Sequence, residues 1–232
     1  MASPEALWCV VPAAGRGARV GGDVPKQYLP IAGKPMLLHT LERLTAHPRI
    51  AGVMVVLAAG DARWPKWLTF NDKPVHTTVG GDERADSVLA GLRALPEGVS
   101  EADFVLVHDA ARPCVAHADI SRLVDQAIPA GGGLLAAPVR DTLKRADAQG
   151  RVVATEPREA RWRALTPQLF RLGELVQALE SAHAAGIAVT DEAMAMECAG
   201  HKPLLVEGGE DNIKVTTAAD FALVEFLLSR MD

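Results

Sequence analysis

Four short apolar runs, at residues 7–11, 52–58, 104–108 and 133–139, carry Val, Leu and Ala at neighbouring positions without strict alternation of apolar and polar residues. A half-exposed strand alternates, because successive side chains point to opposite faces. A run that stays apolar belongs to a strand covered on both faces. Between the runs the period changes. Leu37, Leu41 and Leu44 follow Pro35 at helical spacing, and Ile120, Leu123, Val124, Ala127 and Ile128 recur at i, i+3, i+4, i+7 and i+8. Doubly covered strands alternating with amphipathic helices predict βαβ units with right-handed crossovers. The expected fold is α/β, Rossmann-like, with three layers and a mainly parallel sheet.

A further strand is expected around residues 75–79. Two more helices are expected at 172–185 and 217–230, the second opened by a capping-box pattern, Thr217 with Asp220 three residues on. Residues 141–157 break the alternation. There, two short polar stretches with β-branched residues flank Asp147-Ala148-Gln149-Gly150, the pattern of a hairpin. Its apolar residues, Leu143, Val152 and Val153, are too few to stabilise it alone, so it is expected to project as an arm that needs a partner. No repeat, low-complexity tract or long linker interrupts the 232 residues, and 1–232 is expected to form one domain carrying that arm.

Composition removes several function classes. No apolar run approaches the ~20 residues of a membrane span, and the first residues, with Glu5 and no basic cluster, do not resemble an export signal. A net charge of -5 argues against a protein held broadly on nucleic acid, and 4% aromatic residues argue against a single-strand stacking platform. Cys9, Cys114 and Cys198 are odd in number and scattered, without Cys-x-x-Cys spacing. They suggest neither a disulfide framework nor a zinc site, are expected in or near the core, and fit a cytoplasmic protein with no nucleic-acid or membrane partner.

The candidate chemistry lies at predicted strand ends. The first strand runs into Pro12-Ala13-Ala14-Gly15-Arg16-Gly17-Ala18-Arg19, with Lys26 following in Pro25-Lys26-Gln27. Small residues there let backbone N–H groups approach a phosphate. The order is not that of a P-loop, which needs Gly-Lys-Ser/Thr, nor of Gly-x-Gly-x-x-Gly, since residue 20 is Val. Taken alone, the segment is equally a tight turn with solvated basic residues. Gly80-Gly81-Asp82-Glu83-Arg84-Ala85-Asp86-Ser87 is either a ligand loop or a helix start capped by Asp82 or Asp86. Asp109, at the exit of a buried strand, is suited to a nucleotide-borne Mg²⁺ or to pairing with Arg112. Asp211-Asn212-Ile213-Lys214 and Thr190-Asp191-Glu192-Ala193 each pass singly for surface or cap. Five such turns at strand ends are harder to dismiss together.

Pro12-Ala13-Ala14-Gly15, Pro25-Lys26-Gln27-Tyr28, the Gly80 to Ser87 segment, His108-Asp109-Ala110-Ala111-Arg112-Pro113, Pro138-Val139-Arg140-Asp141-Thr142 and Asp211-Asn212-Ile213-Lys214-Val215-Thr216 stand in one order along nearly the whole chain. In that order they resemble the 2-C-methyl-D-erythritol 4-phosphate cytidylyltransferases, a nucleotidyltransferase family of the non-mevalonate isoprenoid route. The resemblance implies transfer of CMP from CTP to a sugar-alcohol phosphate with loss of pyrophosphate. It implies Ala13, Ala14, Gly15 and Gly17 around the nucleotide, and Gly81, Asp82 and Ser87 at the cytosine. It also implies Arg19, Lys26, Asp109 and Lys214 as catalytic, and Asp109 and Asp211 beside Mg²⁺ or another divalent ion. Arg112, Thr142, Arg158, Thr166 and Thr190 then fall on the acceptor side, Arg158 reaching it from the partner's arm in a homodimer. Arg161 and Arg163 are nearby rivals for that role.

The chemistry agrees with such a set. A phosphate monoester is already anionic at pH 7, so no general base is required, and the difficulty is bringing two anions together. Cations solve it. Three other readings compete: a sister enzyme acting on ribitol 5-phosphate or a related polyol phosphate, a regulatory module without catalysis, and a dinucleotide-dependent oxidoreductase.

Overall fold

The structure is a computed structural model describing residues 6–15 and 24–231. β1 (Leu7–Pro12) is followed by a 3-10 turn (Lys26–Tyr28), β2 (Pro30–Ile31), β3 (Lys34–Pro35), α1 (Met36–Ala46), β4 (Ile50–Leu57), β5 (Thr69–Phe70) and β6 (Lys73–Val79). Then come α2 (Arg84–Arg93), β7 (Phe104–Val107), α3 (His117–Ala127), β8 (Gly133–Pro138), β9 (Leu143–Ala146) and β10 (Val152–Glu156). β11 (Trp162–Arg171), α4 (Leu172–Ala184), α5 (Glu192–Cys198), β12 (Leu204–Glu207) and α6 (Ala219–Leu228) complete the chain.

Among the described residues the main sheet has eight strands in the order β12-β8-β11-β7-β1-β4-β6-β5. β1 runs parallel to β4 and β7, β4 to β6, and β12 to β8, so the sheet is mainly parallel as expected. Alternate residues of each strand enter opposite cores. Cys9 and Val11 pack with Leu37, Leu41 and Leu44 of α1 and Ile120 and Leu123 of α3, whereas Val10 packs with Val88 of α2 and residues of α4 and α5. Both faces are covered, and this three-layer arrangement is why the runs lack alternation. No helix among the described residues is long and apolar enough to cross a membrane.

Two strands depart from the parallel scheme: the two-residue β5 at the sheet's edge pairs antiparallel with β6, and β11 is the other. β11 lies antiparallel between β7 and β8, with its register shifted between Ala164 and Gln168. Its ten residues mix Arg163, Thr166, Pro167, Gln168 and Arg171 with apolar positions, and so show neither strand period cleanly. The irregularity spans Thr166, a residue of the candidate site. Such bulges re-aim side chains next to functional centres.

Two local expectations are corrected. α6 begins at Ala219, and the Thr217 side chain does not cap it. The Asp220 carboxylate does reach back, accepting the N–H groups of Thr216 at 2.7 Å and Thr217 at 2.8 Å, so the half of the capping box that Asp220 supplies is formed. Cys9 and Cys114 are buried, but Cys198, the last residue of α5, is exposed and not near the core. The arm forms as expected: β9 and β10 pair antiparallel, and Asp147 accepts the N–H groups of Gln149 and Arg151 in the turn. Val152 and Val153 stand 65% and 54% exposed on it.

Candidate active site

The loops after β1, β6 and β7 meet at the carboxyl edge of the sheet, where open α/β folds bind ligands. Ala13 N–H donates to Val56 O and Gly80 N–H to Leu57 O, both at 2.8 Å, so each loop stays on the sheet beyond its strand. The two loops touch. A Cβ at Gly80 would stand 2.9 Å from the Ala14 Cβ and 2.5 Å from the Ser87 Oγ, so only glycine permits this approach. Behind it, a Cβ at Gly91 would fall 2.5 Å from Val10 Cγ1, showing how closely α2 lies on the sheet. Glu83 caps α2 and completes a capping box with Asp86, a role the sequence left to Asp82 or Asp86. Exposed Asp82 lines the cleft.

That cleft is walled by Ala13, Ala14 and Gly15 on one side, Gly81, Asp82 and Ser87 on the other, and Lys26 at its rim. Gln27, buried, donates from Nε2 to Ala13 O at 2.6 Å and fixes the first loop. A second cavity is lined by Arg112, Thr166, Gln168, Thr190 and Asp191. The two share three residues, Arg84, Asp109 and Lys214. Asp109 is the centre of that wall: Oδ1 accepts Arg84 Nε at 3.0 Å, Oδ2 accepts Lys214 Nζ at 2.8 Å, and Arg112 Nε lies 3.5 Å from Oδ2. Burial alone would raise the Asp109 pKa, but Arg84, Lys214 and Arg112 outweigh it and hold the carboxyl below the usual range. Asp109 is therefore ionised throughout the physiological range.

Beneath it runs a fully paired polar chain. His108 Nε2 lies 3.0 Å from Arg112 O and therefore carries the proton, leaving Nδ1 to accept from Thr166 Oγ1 at 3.0 Å. Thr166 Oγ1 in turn accepts the Asp109 N–H at 3.0 Å. Neutral His108 thus orients Thr166, which anchors the backbone of Asp109. Burial lowers the His108 pKa to about 4. The unfolded chain therefore binds more protons than the native one between about pH 6.5 and 4. This contribution to stability is complete above that window and is lost as pH falls through it. His47, likewise lowered to about 4, chiefly by burial and then by His117, has the same sign. Each gives a slope of up to about 1.4 kcal/mol per pH unit. Denaturant midpoints across that range should show His108→Asn losing about half of the slope attributable to the pair, and an unchanged slope would contradict a neutral buried His108.

The structure brings together Lys26, Asp109, Lys214, Ala13, Ala14, Gly15, Gly81, Asp82, Ser87, Arg112, Thr166 and Thr190. Gly17 and Arg19 lie outside the described residues. Thr142 and Arg158 are exposed on the arm and line neither cavity of their own chain, and Arg158 donates to Arg140 O. Asp211 is also exposed and lines neither cavity, so it does not join Asp109. Its charge is felt at Cys114, whose thiol burial pushes up to about 12, with Arg43 opposing and Asp211 adding to the shift. Arg84 and Glu192, in sequence only members of a glycine turn and of a helix cap, meet here: Glu192 Oε1 accepts Arg84 Nη1 at 2.6 Å. Among the described residues no three His, Cys, Asp or Glu side chains cluster to hold a metal. Asp109, its oxygens accepting from Arg84 and Lys214, is the carboxylate common to both cavities, and an ion beside it would take its other ligands from a nucleotide's phosphates.

The chain is similar to known proteins along nearly its whole length. The sequence model of the 2-C-methyl-D-erythritol 4-phosphate cytidylyltransferase family matches residues 7–230. The protein of that name from Xanthomonas axonopodis pv. citri (strain 306) is 59% identical over 229 residues, covering 97% of this chain and 85% of the relative. The one from Stenotrophomonas maltophilia (strain R551-3) is 60% identical over 227 residues, covering 97% of each. The crystal structure of the Francisella tularensis 2-C-methyl-D-erythritol 4-phosphate cytidylyltransferase superposes with a TM-score of 0.82 at 34% identity, over 96% of this chain and all of that one.

Proposed function

The chain belongs to the 2-C-methyl-D-erythritol 4-phosphate cytidylyltransferase family and transfers CMP from CTP to 2-C-methyl-D-erythritol 4-phosphate, and from that premise we propose how its residues divide the work. The observation that carries the division is the wall of Arg84, Asp109 and Lys214 common to both cavities. CTP occupies the cleft of Ala13, Ala14, Gly15, Gly81, Asp82 and Ser87, and the acceptor occupies the cavity of Arg112, Thr166 and Thr190. Their phosphates meet at the shared wall.

The acceptor phosphate attacks the α-phosphorus in line and pyrophosphate leaves on the opposite side, so negative charge gathers on both. In direct contact at the shared wall, Arg84, Arg112 and Lys214 stand against two carboxylates, Asp109 and Glu192, while Lys26, Asp82, Glu83 and Asp191 line the cavities around it. Lys26 and Lys214 stabilise the developing charge, assisted by Arg19 from outside the described residues, and Arg112 holds the acceptor phosphate. Mg²⁺ or another divalent ion, bound chiefly by CTP phosphates with Asp109 as the nearest carboxylate, would withdraw charge from the triphosphate. Because the protein needs no covalent intermediate, Cys9, Cys114 and Cys198 take no part. The single domain carries its arm to a second copy, in a cytoplasmic homodimer.

A panel of nucleoside triphosphates and polyol phosphates with pyrophosphate release as the readout tests this reading. Cytosine and uracil differ in a donor and an acceptor at one edge, and each buried mismatch costs about 1–3 kcal/mol. CTP should therefore exceed UTP by about tenfold or more in kcat/KM. Equal turnover with UTP would refute the cytosine assignment of Gly81, Asp82 and Ser87. Ribitol 5-phosphate, which the comparisons do not favour, should be the poorer acceptor.

A further inference from the structure

We propose that Glu192 is a positioning residue for the transfer, acting through Arg84 to keep Asp109 and Lys214 in place between the two cavities. The proposal rests on the reading that Asp109 and Lys214 stand at the transfer point.

Glu192 opens α5, is 1% exposed and lines neither cavity, so it cannot touch a substrate held there. Its carboxylate takes a two-pronged contact from Arg84 at the start of α2: Nη1 to Oε1 at 2.6 Å and Nη2 to Oε2 at 3.2 Å. A guanidinium held by both terminal nitrogens has its plane fixed, and with it the direction of the remaining N–H on Nε. That N–H points at Asp109 Oδ1, 3.0 Å away. Arg84 thus spends one donor on Asp109 and leaves Oδ2 to Lys214 at 2.8 Å. Burial would lower the Arg84 pKa, but Glu192 and then Asp109 more than reverse this, so the cation persists.

A buried ion pair is a poor stabiliser compared with apolar side chains of the same size, because both charges lose their water. Geometry is what the fork supplies here. With Glu192 neutral, Asp109 becomes the nearest anion left to Arg84, and the guanidinium can turn two N–H donors onto it and compete with Lys214 for Oδ2. Removing a negative charge also makes the junction more positive. Two anionic substrates then bind no worse while the groups that act in the transition state are misplaced. Lower kcat with unraised KM distinguishes this from general loosening of the fold, which would raise KM and lower the melting temperature together.

The test measures pyrophosphate release against both substrates for Glu192→Gln, Glu192→Asp, Arg84→Lys, the Arg84→Lys/Glu192→Gln double variant and Lys214→Met, with thermal unfolding of each. Glu192→Gln should lose about tenfold to a hundredfold in kcat, the scale of misplacing a catalytic group, with both KM values at or below those of the parent. The double variant should match Arg84→Lys within about twofold, since Glu192 acts only through the fork. If Glu192→Gln does not fold, Glu192→Asp keeps the charge but shortens the reach, and its kcat should fall with unraised KM. Parental kcat in a folded Glu192 variant, or losses in the double variant that simply multiply, overturns the positioning role. Parental turnover in Lys214→Met would instead overturn the transfer-point reading beneath it.

Discussion

Lys26→Ala should turn over about a hundredfold to a thousandfold more slowly than the parent, the scale of losing one preorganised donor to transition-state charge, and should unfold cooperatively within a few degrees of it. Lys26 is half-buried in the 3-10 turn after the first glycine loop and lines the nucleotide cleft. Its Nζ donates to Val215 O at 2.8 Å, next to Lys214. Losing that bond leaves a carbonyl without this donor, a cost of about 1–3 kcal/mol. It does not release the Lys214 segment, because Val215 N–H donates to Ala111 O at 2.9 Å and Asn212 Nδ2 to Thr166 O at 2.7 Å. The second lysine stays in place while one positive charge is gone. The loss therefore belongs to the electrostatics of the triphosphate, and it should appear in kcat more than in KM for CTP. Lys26→Met, which keeps the aliphatic stem, should be equally slow. Turnover near that of the parent in a folded Lys26→Ala protein would remove Lys26 from the catalytic set.

Why some of this was visible in the sequence and some was not follows from the range over which each interaction acts. The strands β1, β4, β7 and β8 are legible because burial on both faces leaves unbroken apolar runs, and α1 and α3 because a buried stripe repeats at the helical period. β11 is hidden by its Arg, Thr, Pro and Gln. Thr166 and Gln168 line the second cavity and Arg171 reaches Ala102 O at the strand's end, so strand pattern and function compete within ten positions. The glycine and acid turns declare themselves through residue type at strand ends, which is how Gly81, Asp109 and Lys214 were found. The Arg84–Glu192 fork joins residues 108 apart in the chain, and a pairing at that distance leaves no periodic trace. Thr217 with Asp220 shows the limit from the other side, since the same residue types form one half of a capping box without the other.

Mixing two inactive proteins, Arg158→Ala and Lys26→Ala, should restore activity toward about a quarter of the parent after their subunits are dissociated and reassociated. The argument begins at the arm. Among the described residues β9 and β10 pair only with each other, with Val152 and Val153 exposed on them, a pair of strands too small to stabilise itself in water. Thr142 and Arg158, at its two ends, are exposed and stand outside both cavities of their own chain, although by resemblance to the family both belong on the acceptor side. Exchange of arms between two copies would reconcile these facts: it would cover the valines and carry Arg158 to the neighbour's acceptor cavity, where a planar guanidinium suits a phosphate. In a mixed dimer the two substitutions then fall together in one site and leave the other intact. Random pairing makes half of the dimers mixed, and half of the sites in those are whole, which sets the expected quarter. Each parent variant, reassociated alone, should stay inactive. Subunit exchange shown independently, with no recovery of activity, would confine all of the acceptor's phosphate contacts, Arg112 among them, to one chain. Exposed Arg163, which reaches Glu210 at 3.4 Å, and exposed Arg161 would then be the arginines to replace.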